Sequence, residues 1–189
     1  MSHTTDAVAP PGWLRIADAI DRFTNATGQL FAWIFVLPLV AVVTFEVVAR
    51  YGFDAPTLFA YDLTYMFYGA LFMLGTAFAL FKGAHIRTDM LWEQYSDRTK
   101  GWVDLCAYLF FFFPGLLIFL FTSIDDALYS MQIGERSEQT AWRPIIYPFK
   151  AVIPLTALLL LIQGVSEALK SLYAVRTGRL YRRAEGAQI

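Results

Sequence analysis

Four long apolar runs constrain this chain more than any other feature of its sequence. They cover about residues 30–50, 58–81, 102–126 and 149–172, and each is close to the roughly 20 apolar residues that cross a bilayer as an α-helix. Hydrophobic residues make up 57% of the chain and charged residues only 16%, whereas soluble domains approach about a quarter charged. The sequence therefore predicts an all-α integral membrane protein with four transmembrane helices.

A charged segment, residues 82–100, separates the second apolar run from the third and predicts the orientation of all four. Lysine and arginine resist translocation, so short loops that are rich in them stay on the cytoplasmic side. With both termini inside, eleven of the fifteen Lys and Arg residues are cytoplasmic, and only Arg50, Arg136, Arg143 and Lys150 lie outside. We therefore expect both termini to be cytoplasmic.

The segment just before the first run, residues 13–23, has an amphipathic pattern. Its apolar and charged residues fall on opposite helical faces, the first set being Trp13, Ile16, Ala17, Ile20 and Phe23 and the second Arg15, Asp18, Asp21 and Arg22. We expect a helix that lies on the cytoplasmic leaflet, followed by a bend at Gly28 into the first span. A helix that packs against the protein is the alternative.

The charged segment 82–100 also contains apolar residues at helical spacing. These are Ile86, Met90, Leu91 and Tyr95, with Trp92 beside them. They predict a second interfacial amphipathic helix between the second and third spans, and a solvated loop is the alternative.

The rest of the chain divides into one domain with two tails. Residues 1–12 are small and polar, lack the pattern of a secretory signal, and predict a disordered tail. Residues 13–176 form a single four-helix membrane domain, and residues 177–189 form a basic cytoplasmic tail. Pro114 predicts a kink in the third span, because proline removes a helical hydrogen bond.

Residues that usually carry catalysis or bind cofactors are sparse. The only cysteine, Cys106, has apolar neighbours and predicts a buried thiol, and neither His3 nor His85 lies within a span where it could bind haem. No phosphate-binding glycine loop and no hydrolase or zinc motif occurs. Net charge is −1, without a basic field for nucleic acid. We expect no enzyme activity, cofactor, metal or nucleic-acid partner.

Glu46 and Arg50 are the strongest polar feature inside a span. Residues four apart share a helical face, so the two side chains can form an ion pair near the outer end of the first span. A structural ion pair, a contact to a partner subunit and a place in an ion path all fit this pattern. Gln163, deep in the fourth span, predicts a hydrogen bond between helices.

Several short motifs, in order along the four spans, resemble the small, DctQ-type membrane subunit of tripartite ATP-independent periplasmic (TRAP) transporters. The resemblance covers about residues 28–175. The motifs are Glu46-Val-Val-Ala-Arg50 with Tyr51-Gly-Phe and Pro56, Asp62, Leu74-Gly75, Gly83-Ala-His85-Ile86-Arg-Thr-Asp89-Met-Leu91, Gly134-Glu-Arg-Ser137, Trp142-Arg-Pro144, Pro148-Phe-Lys150 and Ile153-Pro154. Where family members often carry a Glu-rich start of the second span, this chain has Phe59-Ala-Tyr61-Asp62.

The resemblance implies an accessory, scaffold subunit of a secondary importer in a bacterial inner membrane. Its partners would be a large elevator-type membrane subunit with the sodium and substrate sites, a periplasmic binding protein that captures an organic anion such as a carboxylate, and membrane lipids. The interface helix would include His85, Ile86, Arg87, Asp89 and Trp92. The outer loops offer mixed charge for docking the binding protein, at Asp54, Glu135, Arg136, Glu138 and Arg143, and a simple solvated loop is the alternative.

Two other functional classes are compatible with the sequence. The chain could anchor a different heteromeric membrane complex, or it could act alone as a small channel or exporter. A chain with four spans and no pair of interrupted helices lacks the usual pattern of a transporter's own substrate site, which favours the accessory role.

Overall fold

The computed structural model describes residues 11–83 and 95–181. The helices in these residues are α1 (Leu14–Gly52), α2 (Ala60–Phe81), α3 (Asp97–Ala107), α4 (Phe113–Ile133) and α5 (Tyr147–Thr177). A π-helical turn, Tyr108–Phe112, joins α3 to α4, so Asp97–Ile133 is one continuous helical segment.

Four segments in the described part of the chain are long and apolar enough to cross a membrane. They are α1, α2, Asp97–Ile133 and α5. The predicted apolar runs fall within these segments, apart from two residues that precede α2. The prediction of an all-helical protein with four candidate spans is thus confirmed, while the cytoplasmic position of the termini stays a prediction.

Local sequence signals set three of the helix ends. The Ser96 hydroxyl accepts a hydrogen bond from the backbone N–H of Thr99 at 3.3 Å, which caps the start of α3. Helices α4 and α5 end at Gly134 and Gly178, with φ values of 60° and 68°. Glycine adopts this left-handed conformation without steric cost, so both helices end sharply where the chain must turn.

Helix α5 lies at the centre of the bundle, because it contacts every other helix. Helices α1 and α2 also pack against each other, whereas α3 and α4 pack mainly against α5. Leu74 and Ala77 of α2 and Leu159 of α5 form a buried cluster, with Phe31 and Phe35 of α1 packed against it. The most apolar stretches of α1 and of Asp97–Ile133 are not buried within the chain, so their faces are open to lipid or to a partner.

The helices alternate in direction, which gives the bundle two polar ends. We call one the terminal end: it contains the starts of α1 and α3, the ends of α2 and α5 and residues 178–181. We call the other the loop end: it contains the connections 53–59 and 134–146 together with the helix turns next to them.

Helix α1 corrects the prediction of a separate helix over residues 13–23. It continues through Gly28, so residues 13–23 do not form a helix that ends before the first span. A Cβ at Gly28 would lie 2.6 Å from the side chain of Phe78, and glycine is therefore needed for the close approach of α2. The interfacial position of residues 13–23 stays a prediction.

The buried face of this first part of α1 also differs from the predicted one. Asp21 was expected on the polar outer face, but it is only 2% exposed, whereas Ile16 and Phe23 are 56% and 48% exposed. The reason is that α5 presents polar groups, including Gln163, to this part of α1. A polar face of α1 therefore turns inward, and part of its apolar face turns outward.

The irregularity predicted at Pro114 lies one turn earlier, as the π-helical turn. The N–H of Phe113 donates to the carbonyl of Tyr108, five residues back. The ring of Phe112 lies over Gly164 of α5, where a Cβ would come within 2.3 Å of it. The wider turn thus brings a large ring onto the smallest residue of the facing helix.

Two further predictions concern single segments. The second interfacial helix, with His85, Ile86, Arg87, Asp89 and Trp92, falls on residues 84–94, which lie outside the described residues, so it stays a prediction. The prediction that Cys106 is buried is wrong: its thiol is exposed, because α3 turns only one face toward α5.

Candidate functional site

The loop end gathers the polar residues that a partner outside the membrane would meet. At its base, Glu46 Oε1 accepts hydrogen bonds from Arg50 Nε at 2.9 Å and Nη2 at 2.5 Å. Glu46 Oε2 accepts from the backbone N–H of Thr57 at 3.1 Å and from its hydroxyl. The Glu46 carboxylate therefore links α1 to the connection that leads into α2.

Asp62, in the first turn of α2, is the centre of a second cluster. It is 1% exposed, and its Oδ1 accepts from Ser137 Oγ at 2.6 Å while its Oδ2 accepts from the Thr140 hydroxyl. No cation is paired with it among the described residues, and the start of a helix favours a negative charge there. One buried carboxylate thus fixes the connection between α4 and α5 to the start of α2.

The same two hydroxyls also organise the connection 134–146 itself. Ser137 Oγ accepts from the backbone N–H of Gln139 at 3.2 Å, and Thr140 Oγ1 accepts from that of Trp142 at 3.3 Å. Backbone pairing closes the base of the connection, with Ser137 N donating to Pro144 O at 2.8 Å. The connection is therefore a shaped surface with its own internal hydrogen bonds.

Four of the five predicted docking residues point into solvent at this end. Asp54, Arg136, Glu138 and Arg143 are exposed. Arg136 Nη1 donates to the carbonyl of Arg143 at 3.3 Å, and Arg143 Nη2 lies 4.0 Å from Glu138 Oε1. These groups form one patch of mixed charge, with Asp54 on the neighbouring connection.

Glu135, the fifth predicted docking residue, faces inward. Lys150 Nζ lies 2.8 Å from Glu135 Oε2 and 3.3 Å from Asp126 Oδ2. The hydrogen bond from the Lys150 ammonium lowers the pKa of the Glu135 carboxyl below its usual value. Glu135 is therefore committed to a contact between the connection 134–146 and α5 rather than to a partner.

The terminal end contains a larger buried network, between α1 and α5. Lys170 Nζ lies 2.8 Å from Asp21 Oδ2 and 2.7 Å from Glu167 Oε1. Gln163 Nε2 donates to Asp21 Oδ1 at 3.1 Å, and Gln163 Oε1 accepts from Thr24 Oγ1 at 2.7 Å. The predicted interhelical hydrogen bond of Gln163 is present, and the amide is completely buried.

Sequence reasoning missed the roles of Asp62 and Asp21. Their partners lie 75 to 149 residues away along the chain, so local spacing gives no sign of the contact. The available signal was a hydroxyl-rich connection, residues 137–140, opposite an acidic residue in the first turn of an apolar helix. The described residues include no group of three or more His, Cys, Asp or Glu side chains placed to hold a metal ion.

The family of the chain follows from comparison with known proteins. A family model described as the DctQ component of tripartite ATP-independent periplasmic transporters matches residues 39–173, which is more than half of the chain. The chain belongs to the DctQ family. No curated protein and no solved structure gives a significant match.

As a DctQ protein, this chain is the small membrane subunit of a TRAP transporter, and with four candidate spans it is a multi-pass membrane protein. The family acts with a large membrane subunit and a periplasmic binding protein, and it is known for transport rather than catalysis. The resemblance drawn from the motifs is thus confirmed. The matched region contains the whole loop end, whereas Asp21 and Thr24 precede it.

Proposed function

We propose that this DctQ protein is the static scaffold of a sodium-coupled importer of organic anions, such as carboxylates, in a bacterial inner membrane. In this role it holds a large elevator subunit in place and presents its loop end to the periplasmic binding protein. An elevator needs a fixed frame against which a mobile domain slides. The observation that carries the proposal is that one helix, α5, contacts all the others and is fixed near both of its ends.

The two fixed ends of α5 support a rigid frame. At the terminal end Lys170 pairs with Asp21 of α1, and at the loop end Lys150 pairs with Asp126 of α4 and with Glu135. Charged contacts at both ends of one central helix resist sliding of its neighbours along it. No such movement is needed in a subunit that serves only as the frame.

Open apolar faces support a large membrane partner. Helix α1 and the segment Asp97–Ile133 leave their most apolar stretches unburied within the chain. Single proteins in water rarely expose apolar patches larger than a few hundred Å². In this chain lipid and the large subunit would cover these faces.

The charge distribution supports a periplasmic loop end. The four outer cations all belong to it, and the mixed patch of Arg136, Glu138 and Arg143 suits a weak, reversible contact with a soluble protein. Because the patch rests on the connection that Asp62 holds, its shape is set before any partner arrives.

Reconstitution tests the scaffold role. The chain, the large subunit and the binding protein are combined in proteoliposomes, and uptake of the ligand of the binding protein is measured with an inward sodium or potassium gradient. We expect uptake only with sodium and only when this chain is present. Normal uptake without it would contradict the scaffold role, and purification with a soluble catalytic partner instead would favour the membrane-anchor alternative.

Charge reversal tests the docking surface. Arg136→Glu together with Arg143→Glu should reduce uptake about tenfold, because two cations of the patch become like-charged with Glu138. The complex should still purify intact, since both side chains are exposed. Arg98→Glu, an exposed arginine at the terminal end, is the matched control. If uptake of the double variant equals that of the control, the loop end does not dock the binding protein.

A further inference from the structure

At the terminal end the cations lie mostly at the surface, and the proposed scaffold role does not explain this distribution of charge. Two of the acids at this end, the buried Asp21 and the partly buried Glu167, pair with Lys170 inside the protein. Two more acids bind the last described residues, since Asp18 accepts from Tyr181 OH at 3.1 Å and Asp97 Oδ2 accepts from Leu180 N at 3.4 Å. The ion pairs with Lys170 offset negative charge at this end, whereas Asp18 and Asp97 keep their charge and are only partly exposed.

The cations of the same end remain at the surface. Six are exposed and form no ion pair within residues 11–83 and 95–181: Arg15, Arg22, Lys82, Arg98, Arg176 and Arg179. A surface of this kind attracts the anionic headgroups of a membrane leaflet, at short range and in a salt-dependent way.

A groove between α1 and α2 begins near two of these cations. Its volume is about 160 Å³, and its lining is almost entirely apolar, including Gly28, Phe31, Ala32, Gly75 and Phe78. Small residues keep it open, since a Cβ at Gly75 would meet nothing within 4 Å. An apolar groove on the outside of a membrane helix pair fits an apolar chain rather than a polar solute.

Lys82 lies at the end of the groove where α2 stops. Its ammonium is 5.4 Å from the centre of the Phe78 ring, and that ring lines the groove. A second ring, that of Phe81, lies 5.3 Å away. The aromatic rings hold the ammonium beside the groove without neutralising it, because a cation–π contact leaves the positive charge available.

On α1, Arg22 lies about two helical turns before the groove, toward the terminal end. It precedes Gln29, another lining residue, by seven positions, and residues seven apart lie on the same stripe of a helix, about 10 Å from each other. A guanidinium side chain is long enough to cover much of that distance. The groove therefore has one cation on each of its two helices at the terminal end.

We propose that this groove holds an acyl chain of an anionic phospholipid, whose phosphate is bound by Lys82 and Arg22. The apolar lining takes the chain, and the two cations select the charge of the headgroup. The groove uses the outer surfaces of α1 and α2, so the site is separate from the loop end.

Lipid binding to the purified full chain tests the proposal. Native mass spectrometry in detergent compares phosphatidylglycerol with phosphatidylcholine, and a photoreactive group in the acyl chain maps the contacts. We expect preferential retention of phosphatidylglycerol and adducts on Phe31, Leu71 or Phe78. Inorganic phosphate alone should not raise the unfolding temperature, whereas phosphatidylglycerol should, and the reverse pattern would identify a free-anion site and overturn the proposal.

Two kinds of variant separate the headgroup from the chain. Arg22→Gln and Lys82→Gln should each weaken phosphatidylglycerol binding roughly fivefold, while Arg98→Gln, an exposed arginine on α3, should not. Gly75→Leu should remove the acyl-chain adducts by filling the groove. Equal binding of the two lipids, or adducts that persist in Gly75→Leu, would overturn the proposal. So would adducts on the large subunit in place of α1 and α2 when the assembled complex is labelled.

Discussion

Each end of the bundle buries one aspartate, and the two are held in different ways. Asp21, at the terminal end, is 2% exposed and pairs with the ammonium of Lys170. Asp62, at the loop end, is 1% exposed and accepts hydrogen bonds from two hydroxyls, without a paired cation in the described chain. The first contact joins two long helices, and the second attaches a connection to a helix.

The difference shows what each end does for the protein. A buried ion pair between two helices is costly to break, because the remaining charge is left without a partner in a low dielectric. The hydrogen bonds from hydroxyls on a connection can break one at a time, because each hydroxyl can form a hydrogen bond with water instead. We infer that the terminal end fixes the helices, whereas the loop end shapes a surface that meets a partner.

The largest effect should come from Lys170→Met. It leaves the buried Asp21 and the partly buried Glu167 without their cation, and the loss should be about 3 kcal/mol of folding free energy. Thermal unfolding of the detergent-solubilised chain measures it, with the exposed Arg176→Met as the control. Equal unfolding temperatures for the two variants would show that the ion pair of Lys170 does not fix the helices at the terminal end.

The next effect should come from Asp62→Ala. It leaves the hydroxyls of Ser137 and Thr140 without their acceptor, at a cost of about 2 kcal/mol. Hydrogen exchange should speed up in residues 134–146 while the amides in the middle of α5 stay protected. Asp54→Asn, which removes an exposed negative charge and which the positive φ of this residue tolerates, is the control. Faster exchange throughout α5 would mean that Asp62 holds the helices as Asp21 does.

A smaller effect is expected for Glu46→Ala. It removes the acceptor of Arg50 and of the Thr57 N–H, so the stability of the assembled complex should fall by about 1 kcal/mol. Substrate affinity should change less, because the carboxylate joins α1 to the connection before α2. Glu138→Ala, at a side chain that is 87% exposed, is the control. A variant that assembles normally but binds substrate poorly would place Glu46 in the transport path.

The smallest effect is a dependence of stability on pH at the loop end. Lys150 lowers the pKa of Glu135 in the folded protein, so Glu135 stabilises the fold fully above its unfolded pKa. This contribution is lost as the pH falls through the lower, folded value, in the acidic range below the usual pKa of a glutamate. Unfolding midpoints of the wild type and of Glu135→Gln should therefore converge as the pH falls. A difference between the two midpoints that stays constant with pH would show that the Glu135–Lys150 pair makes no pH-dependent contribution to stability.

Local patterns predicted the spans but not the long-range polar contacts. The apolar runs located all four membrane-length segments, because a helix in lipid must carry a continuous apolar surface. The same patterns predict an outer position for Asp21, because its partner Lys170 lies 149 residues away and local spacing does not reveal the contact. Local reasoning predicts a bend at Gly28, because glycine weakens helices, whereas in the structure its small size allows the contact with Phe78.

The candidate site was predictable only in part, because local spacing reveals contacts within one helix but not contacts between distant segments. Glu46 and Arg50 are four residues apart on one helix, so their ion pair follows from helical geometry alone. Thr57, which completes the cluster, lies beyond the turn that follows α1. Glu135 was assigned to the docking surface from its position in a polar connection, and only the folded chain reveals Lys150 beside it.

The π-helical turn Tyr108–Phe112 has a consequence for how this protein can change by mutation. Each of its i→i+5 rings encloses one residue more than an α-helical ring, so the turn accommodates an insertion without breaking the helix. Deleting one residue there would restore regular α-helical phase and rotate everything that follows by about 100°. Helix α4 would then present a different set of side chains to α5. A deletion of one residue in this turn would therefore change which residues of α4 face the bundle.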